Sequence, residues 1–310
     1  MTKVVVDRNI YAHIDDLRRM QYHTKGFSFL AKQPANSILV GSNVSKQRGR
    51  GLNFEELRHY RPGDDIRAMD WKTTKRIGKP HIKVYTEERE RNVYIVIDQR
   101  SNMFFGSSGD MKSVVAAKLA ALVSWRITDS GDRIGAVIYN DTSVQVIPAK
   151  RGRQHVIQVL TALVKTNHLL GTMETKVDAA ASLNSAMKKL TSIVGNNAMV
   201  VLVGDSHGWN DVTTRCIKQV RQHNEIIACN IIDPLEQKIP KMQRMVVSDG
   251  AKQIQFSSHD KKIQERYQNT LTKQLESYES MAKKYRIPFV VFDTLTPVEK
   301  QLRKALGATT

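Results

Sequence analysis

The run Gly204-Asp205-Ser206-His207-Gly208 has the G-x-S-x-G spacing of a nucleophile elbow, a serine on a sharp turn between a buried strand and a helix. Asp233 or Asp293 and His259 lie downstream as triad candidates, with Asp233 in the Ser-Asp-His chain order, so a serine hydrolase acting through Ser206 is one reading. Two features oppose it. Helix signals resume only at Asn210 or Asp211, several residues late, and no HGGG-type run supplies a second oxyanion donor. The plainer alternative is a Gly-rich turn that happens to contain a serine.

Carboxylates fall where open parallel sheets place ligand sites, beyond the carboxyl ends of strands. Asp98 ends the apolar run VYIVID, Asp205 follows AMVVLV, and Asp233 follows EIIACNII. Each also suits a plain loop or cap. The nine histidines show no H-x-H or H-x-x-x-H spacing and there is no C-x-x-C, so zinc is not expected. Cys216 and Cys229 are too few for a disulfide framework and fit small core residues in a reducing compartment. Gly49-Arg50-Gly51 is a weak phosphate cradle, and G-x-x-x-x-G-K-[ST] does not occur, so ATP hydrolysis by this chain itself is not expected.

Charge widens the choice of partners. The 310 residues carry 48 Lys and Arg against 30 Asp and Glu, a formal +18, which suits nucleic acid, an acidic protein face or a membrane surface. The basic residues are dense between 42 and 91, so polyanion binding by residues 46–83 is an alternative function. Glu55, Glu56, Asp64, Asp65 and Asp70 interleave them and aromatic stacking partners are sparse. Charge pairing that fastens this segment to the rest of the chain is preferred. Residues 1–90 hold 18 basic and 11 acidic side chains and residues 91–310 hold 30 and 19, so the excess is spread over both parts.

These residues need a scaffold, and the apolar pattern supplies one. An N-terminal helix is expected from Asp7, with Ile10, Ile14 and Leu17 on one face, ending near Lys25-Gly26. Asn53 and Glu56 form a capping box for a short helix over NFEELRHY, and Asp64 and Asp65 cap another running through Ile66, Met69 and Thr73. HIKVYTEE reads as an alternating strand. From residue 93, short buried strands alternate with helices, with a hairpin turned at Asn140-Asp141, a small hairpin over 243–257 and a long helix over 260–284. The fold class is therefore α/β, a doubly wound and mainly parallel sheet covered on both faces. The expected organisation is a helical and extended N-terminal segment, 1–90, acting as a brace, and a sheet domain, 91–310. No run reaches 18 apolar residues and the N-terminus lacks a signal-peptide core, so a soluble, cytoplasmic protein without a transmembrane segment is expected.

The stretch GRGLNFEELRHYRPGDDIRAMDWKTTKRIGKPHIKVYTEERERNVYIVIDQRSNM resembles the bacterial domain-of-unknown-function 58 family. Its residues Leu57, Arg58, Tyr60, Gly63, Asp64, Asp65, Arg67, Asp70, Trp71 and Lys83, with Glu87, Glu88 and Arg89, match that family's signature, and DPLEQKIP at 233–240 looks like a later segment of it. The resemblance implies a von Willebrand factor A-like, Rossmann-like domain. It further implies a non-enzymatic adaptor or scaffold partnered with a MoxR-type AAA+ ATPase and other von Willebrand-type proteins. The signature residues would be partner-binding or structural, with Trp71 packed against the sheet domain.

Such domains hold Mg²⁺ through D-x-S-x-S, a later Thr and a distal Asp. This chain departs from that pattern. Asp98 is present, but the serine positions are Arg100 and Asn102, the Thr position falls at Ala181, and Asp205 suits the distal Asp. A guanidinium in place of a ligating hydroxyl sets a positive charge beside the cation position. The expectation is a degenerate metal site with no cofactor, Arg100 pairing with Asp98 or Asp205, and loops near Asp98, Arg100, Asn102 and Asp205 offered to a protein partner.

Overall fold

The computed structural model describes residues 7–24, 48–86, 90–171, 178–205, 207–237, 245–248, 253–256, 272 and 275–306. Two compact units are distinguished, Asn43–Glu90 and a larger one made of Met1–Ser42 and Arg91–Thr310.

In chain order the elements are α1 (Ile14–Arg19), β1 (Arg48–His59), α2 (Trp71–Ile77), β2 (His81–Thr86), β3 (Asn92–Asp98), α3 (Lys112–Asp129), β4 (Arg133–Tyr139), β5 (Val144–Lys150), α4 (Arg153–Asn167), α5 (Ala179–Ile193), β6 (Met199–Gly204), α6 (Asp211–Arg221), β7 (Glu225–Ile232), α7 (Pro234–Gln237), β8 (Met245–Ser248), β9 (Gln253–Phe256), α8 (275–284), β10 (Phe289–Asp293) and α9 (Val298–Ala305). Six strands form one sheet in the order β10-β7-β6-β3-β4-β5, parallel except for the antiparallel edge strand β5. The doubly wound α/β fold with a mainly parallel sheet expected from the sequence is thus present. Its strand order reverses between β3 and β6, which is where such sheets open a crevice.

Strand alternation divides the core into two layers. Ile95, Ile97, Ile138, Val201 and Ile231 pack with α3, α4 and α9 on one face. Val96, Val137, Val200 and Ala228 pack with α5, α6 and Ala282 of α8 on the other. Helix α3 is apolar nearly all round because it lies deep against the sheet; Leu119, Leu122 and Val123 are fully buried.

Three elements differ from expectation. The N-terminal helix is shorter, six residues of α1 with turns on either side. Its segment also lies on the larger unit rather than in a brace ending at residue 90. Leu17 is buried and its carbonyl accepts from Trp125 Nε1 at 3.0 Å, while Ala12 N–H donates to the buried Asn167 Oδ1 at 2.7 Å. Leu17→Ala is therefore expected to destabilise the larger unit by about 3 kcal/mol, read as a lower urea midpoint at unchanged slope. NFEELRHY is strand, not helix: β1 pairs antiparallel with β2 over Phe54 to His59, and ladder pairing overrides the capping-box signal. The helix expected from Asp64 and Asp65 is split into a short 3₁₀ turn capped by Asp65 and α2 capped by Asp70. The hairpin over 243–257 is present as β8 and β9, with its turn outside the described residues.

Within the smaller unit, Arg58 forks onto Asp64 at 2.9 and 2.7 Å, and the Arg61 N–H donates to the same carboxylate at 2.7 Å. The Arg58 bond, reinforced by Arg61, holds the Asp64 carboxyl below its ordinary range. Lys83 stands 3.7 Å from Asp70, the cap of α2. Gly63, at φ +100°, makes the turn between Arg61 and Asp64 that only glycine adopts readily. The signature charges expected to satisfy one another thus include a fork between Arg58 and Asp64. Tyr60 is half-buried, Arg67 is exposed, and Trp71 is 66% exposed.

Candidate functional site

The register brings the strand ends together. Asp98 lies opposite Tyr139 across β3 and β4, and Gly204, the last residue of β6, lies beside Asn230 of β7. Gly204 has to be small: a Cβ there would sit 2.8 Å from the Asp98 Cβ. The close approach lets Asp98 and Asp205 share one cluster at the point where strand order reverses.

Asp98 is fully buried, and both of its carboxylate oxygens accept from Arg100. Oδ1 accepts from the Arg100 backbone N–H at 3.0 Å and from Arg100 Nε at 2.9 Å; Oδ2 accepts from Arg100 Nη2 at 2.5 Å. Tyr139 is the strand partner of Asp98 and is itself buried. A carboxylate offers about four lone-pair sites, and three bonds from Arg100 occupy most of them. Arg100 is itself fully buried, with its guanidinium 5.3 Å from the centre of the Tyr139 ring. Burial alone would lower its pKa; Asp98 foremost, with Tyr139 and Asp205, outweighs that and holds it above the ordinary arginine value. Burial, reinforced by the Asp98 charge, pushes the Tyr139 phenol well up, so it stays neutral.

Both carboxylate oxygens of Asp205 are engaged as well. Oδ1 accepts from the His207 N–H at 2.9 Å and faces Arg100 Nη2 at 3.7 Å. Oδ2 accepts from Asn102 Nδ2 at 2.6 Å and from Lys112 Nζ at 3.0 Å. Burial would raise its pKa, but the charges of Lys112 and Arg100 and the His207 N–H prevail and hold it at about 2. Lys112 reaches Glu236 Oε1 at 2.5 Å as well. Burial favours its neutral form, yet Asp205 and Glu236 keep its pKa above the ordinary lysine value.

Sequence reasoning missed Lys112 and Glu236. A signal existed for the lysine. It is the first residue of α3, where the helix dipole disfavours a cation, and a basic residue there asks for a carboxylate neighbour. The third strand-end aspartate, Asp233, staples loops: its Oδ2 accepts from the Ser107 N–H at 2.9 Å and from Thr294 Oγ1 at 2.7 Å. Gly109, at φ +83°, lets these loops press together, since a Cβ there would lie 2.7 Å from the Thr294 carbonyl oxygen. Phe105 and Leu295, 40% and 55% exposed, stand on these two joined loops.

Ala181 lies on the first turn of α5, exposed and without a side-chain oxygen. The Mg²⁺ that the resemblance implies does not fit this donor set. Magnesium wants a near-octahedral shell of free oxygens. Here the oxygens of Asp98 and Asp205 already accept from Arg100, Asn102 and Lys112, and the hydroxyl positions hold a guanidinium, an amide and a methyl group. Among the described residues no group of three or more His, Cys, Asp or Glu could hold a metal ion. The side chains of Asp98 and Arg100 are themselves both 0% exposed, because the ion pair closes on itself. Ser206 and His259 of the hydrolase reading lie outside the described residues.

Residues 56–306 match the family described as "Protein of unknown function DUF58". The chain is 28% identical over 226 residues to the uncharacterized protein Rv1480 of Mycobacterium tuberculosis, covering 71% of this chain and 67% of that one. It is 21% identical over 159 residues to the uncharacterized protein YeaD of Bacillus subtilis, covering 51% and 38%. Among solved structures it is similar to a conserved hypothetical protein, BatB, of Bacteroides thetaiotaomicron, with TM-score 0.44, 12% identity and coverage of 70% and 97%. It is also similar to a von Willebrand factor type A protein of Catenulispora acidiphila, with TM-score 0.33, 14% identity and coverage of 49% and 35%. With more than half its length matched by the family model, the chain belongs to the DUF58 family.

Proposed function

We propose that this DUF58 protein is a non-enzymatic adaptor that works with a MoxR-type AAA+ ATPase and binds protein partners at the carboxyl edge of its sheet. The observation that carries this reading is the division of that edge into two kinds of residue. Its charged groups are mutually paired, with Asp98, Arg100 and Lys112 buried and the half-buried Asp205 only 9% exposed at its side chain, so they offer no reactive side chain to a substrate. Its exposed groups include Phe105 and Leu295, apolar side chains on loops already fixed through Asp233. Apolar anchors on a preorganised surface suit association with a protein. The family resemblance supplies the ATPase as the partner class.

The test is co-purification with a MoxR-type ATPase encoded in the same genome. The Phe105→Asp, Leu295→Asp double variant, both exposed positions, should stay folded and lose about ten-fold or more in affinity. If the wild-type protein changes neither the activity nor the assembly of that ATPase, the proposal fails.

A second reading, polyanion binding by residues 46–83, draws on the exposed Lys72, Lys75, Arg76 and Lys79 on and beside α2. It is the weaker one. Asp64 and Asp70 already engage Arg58 and Lys83, which takes two of the basic side chains out of a polyanion groove. Among the described residues, no helix is long and apolar enough to cross a membrane.

A further inference from the structure

We infer that Arg100 and Lys112 together serve as the cation of this edge: two fixed single charges, held among Asp98, Asp205 and Glu236, stand where one doubly charged ion would otherwise be required. The arithmetic of charge supports it. Arg100 sits between Asp98, at 2.5 Å, and Asp205, at 3.7 Å; Lys112 sits between Asp205, at 3.0 Å, and Glu236, at 2.5 Å. The two cations therefore form a chain across the ends of β3, β6 and β7, and Asp205 is the anion they share. Both are held out of water, with side chains 0% and 2% exposed, so neither is a solvent-facing residue that only borders the site.

What a divalent ion does in such a place is to tie loops from different strands to one point. The same work is done here by covalently attached groups. Arg100 belongs to the loop after β3, Lys112 to the start of α3, and the carboxylates they pair with end β3, follow β6 and lie within α7. A tethered cation is not in exchange with solvent and cannot be removed by a chelator. The edge is therefore held in one arrangement at any metal concentration, and what binds at that edge does so without a divalent ion. This does not rest on the adaptor reading, because the measurement below uses the full chain with no partner present.

Thermal unfolding of the wild-type chain is compared in EDTA, MgCl₂ and MnCl₂ at matched ionic strength. An ion bound at about 50 μM would, at about 5 mM, raise the midpoint by roughly 5 °C or more. The expected change is under about 1 °C, and a rise of the larger size with either metal overturns the inference. Charge is then separated from shape in variants. Arg100→Met and Lys112→Met should each lower the midpoint by roughly 5 °C or more, whereas Arg100→Lys, which keeps the charge, should lose less than about half as much. Equal losses for Arg100→Met and Arg100→Lys would mean that shape and not charge is required, and would overturn it. Should the methionine variants fail to fold, the wild-type metal comparison still decides.

Discussion

Asp98→Asn is expected to cost the larger unit about 3–5 kcal/mol. The substitution is isosteric, so packing is nearly unchanged and the effect is one of charge and hydrogen bonding. Arg100 is fully buried and its guanidinium holds Asp98 through Nε and Nη2, with Asp205 farther off at 3.7 Å. An amide turns one acceptor into a donor, which faces the guanidinium N–H groups. The guanidinium, which cannot give up its proton, is left in a site closed to water. Removing one member of a buried ion pair is far more costly than removing both, because the survivor keeps its full desolvation penalty. Asp98→Asn combined with Arg100→Met should therefore be more stable than Asp98→Asn alone. Urea denaturation of both variants checks the pair of statements. A cost below about 1 kcal/mol for the single variant would show that water reaches Arg100 and that the cluster is not closed.

Lys112→Met is the second substitution with a large expected effect, about 3 kcal/mol at pH 7, and its pH dependence identifies the partner. Asp205 titrates at about 2 in the folded protein, below its ordinary value of 3.8. Its contribution, roughly 2 kcal/mol, is thus present above about pH 4 and is lost as pH falls toward 2. Lys112 has the opposite sign. Its folded pKa lies above 10.5, so its contribution is complete below that pH and is lost only as pH rises past the folded value. The gap between wild type and Lys112→Met should accordingly be flat from about pH 5 to 9 and narrow as pH falls below about 4, where the carboxylates become protonated and no longer need the lysine. A gap that stays constant down to about pH 2.5 would mean that Lys112 acts through packing and not through Asp205.

Both predictions rest on residues whose visibility in the sequence was unequal. Asp98 and Asp205 could be picked out because each closes an apolar run, and the end of a buried strand is where a polar residue has to be explained. Arg100 stood out against the signature it interrupts. Lys112 and Glu236 did not, since each looks like an ordinary charged residue on a surface helix. They become part of the site only because the loop after β3 and the short helix α7 fold over the same strand ends. The N-terminal segment shows the same limit. Leu17 read correctly as an apolar helix face, but nothing local could say that it packs on α3, more than a hundred residues on. NFEELRHY shows the limit in reverse, because a valid capping box lost to pairing with a strand further along the chain.

The sequence by itself determined the α/β class, the parallel buried strands and the family, because short-range apolar periodicity and a long contiguous signature are local properties. Whether Asp98 and Asp205 form a metal site or a closed ionic cluster was a matter for the tertiary structure. That outcome depends on which cations reach two strand ends from separate loops, and on the exclusion of water that makes each charge answer to its neighbours. Local spacing specifies neither.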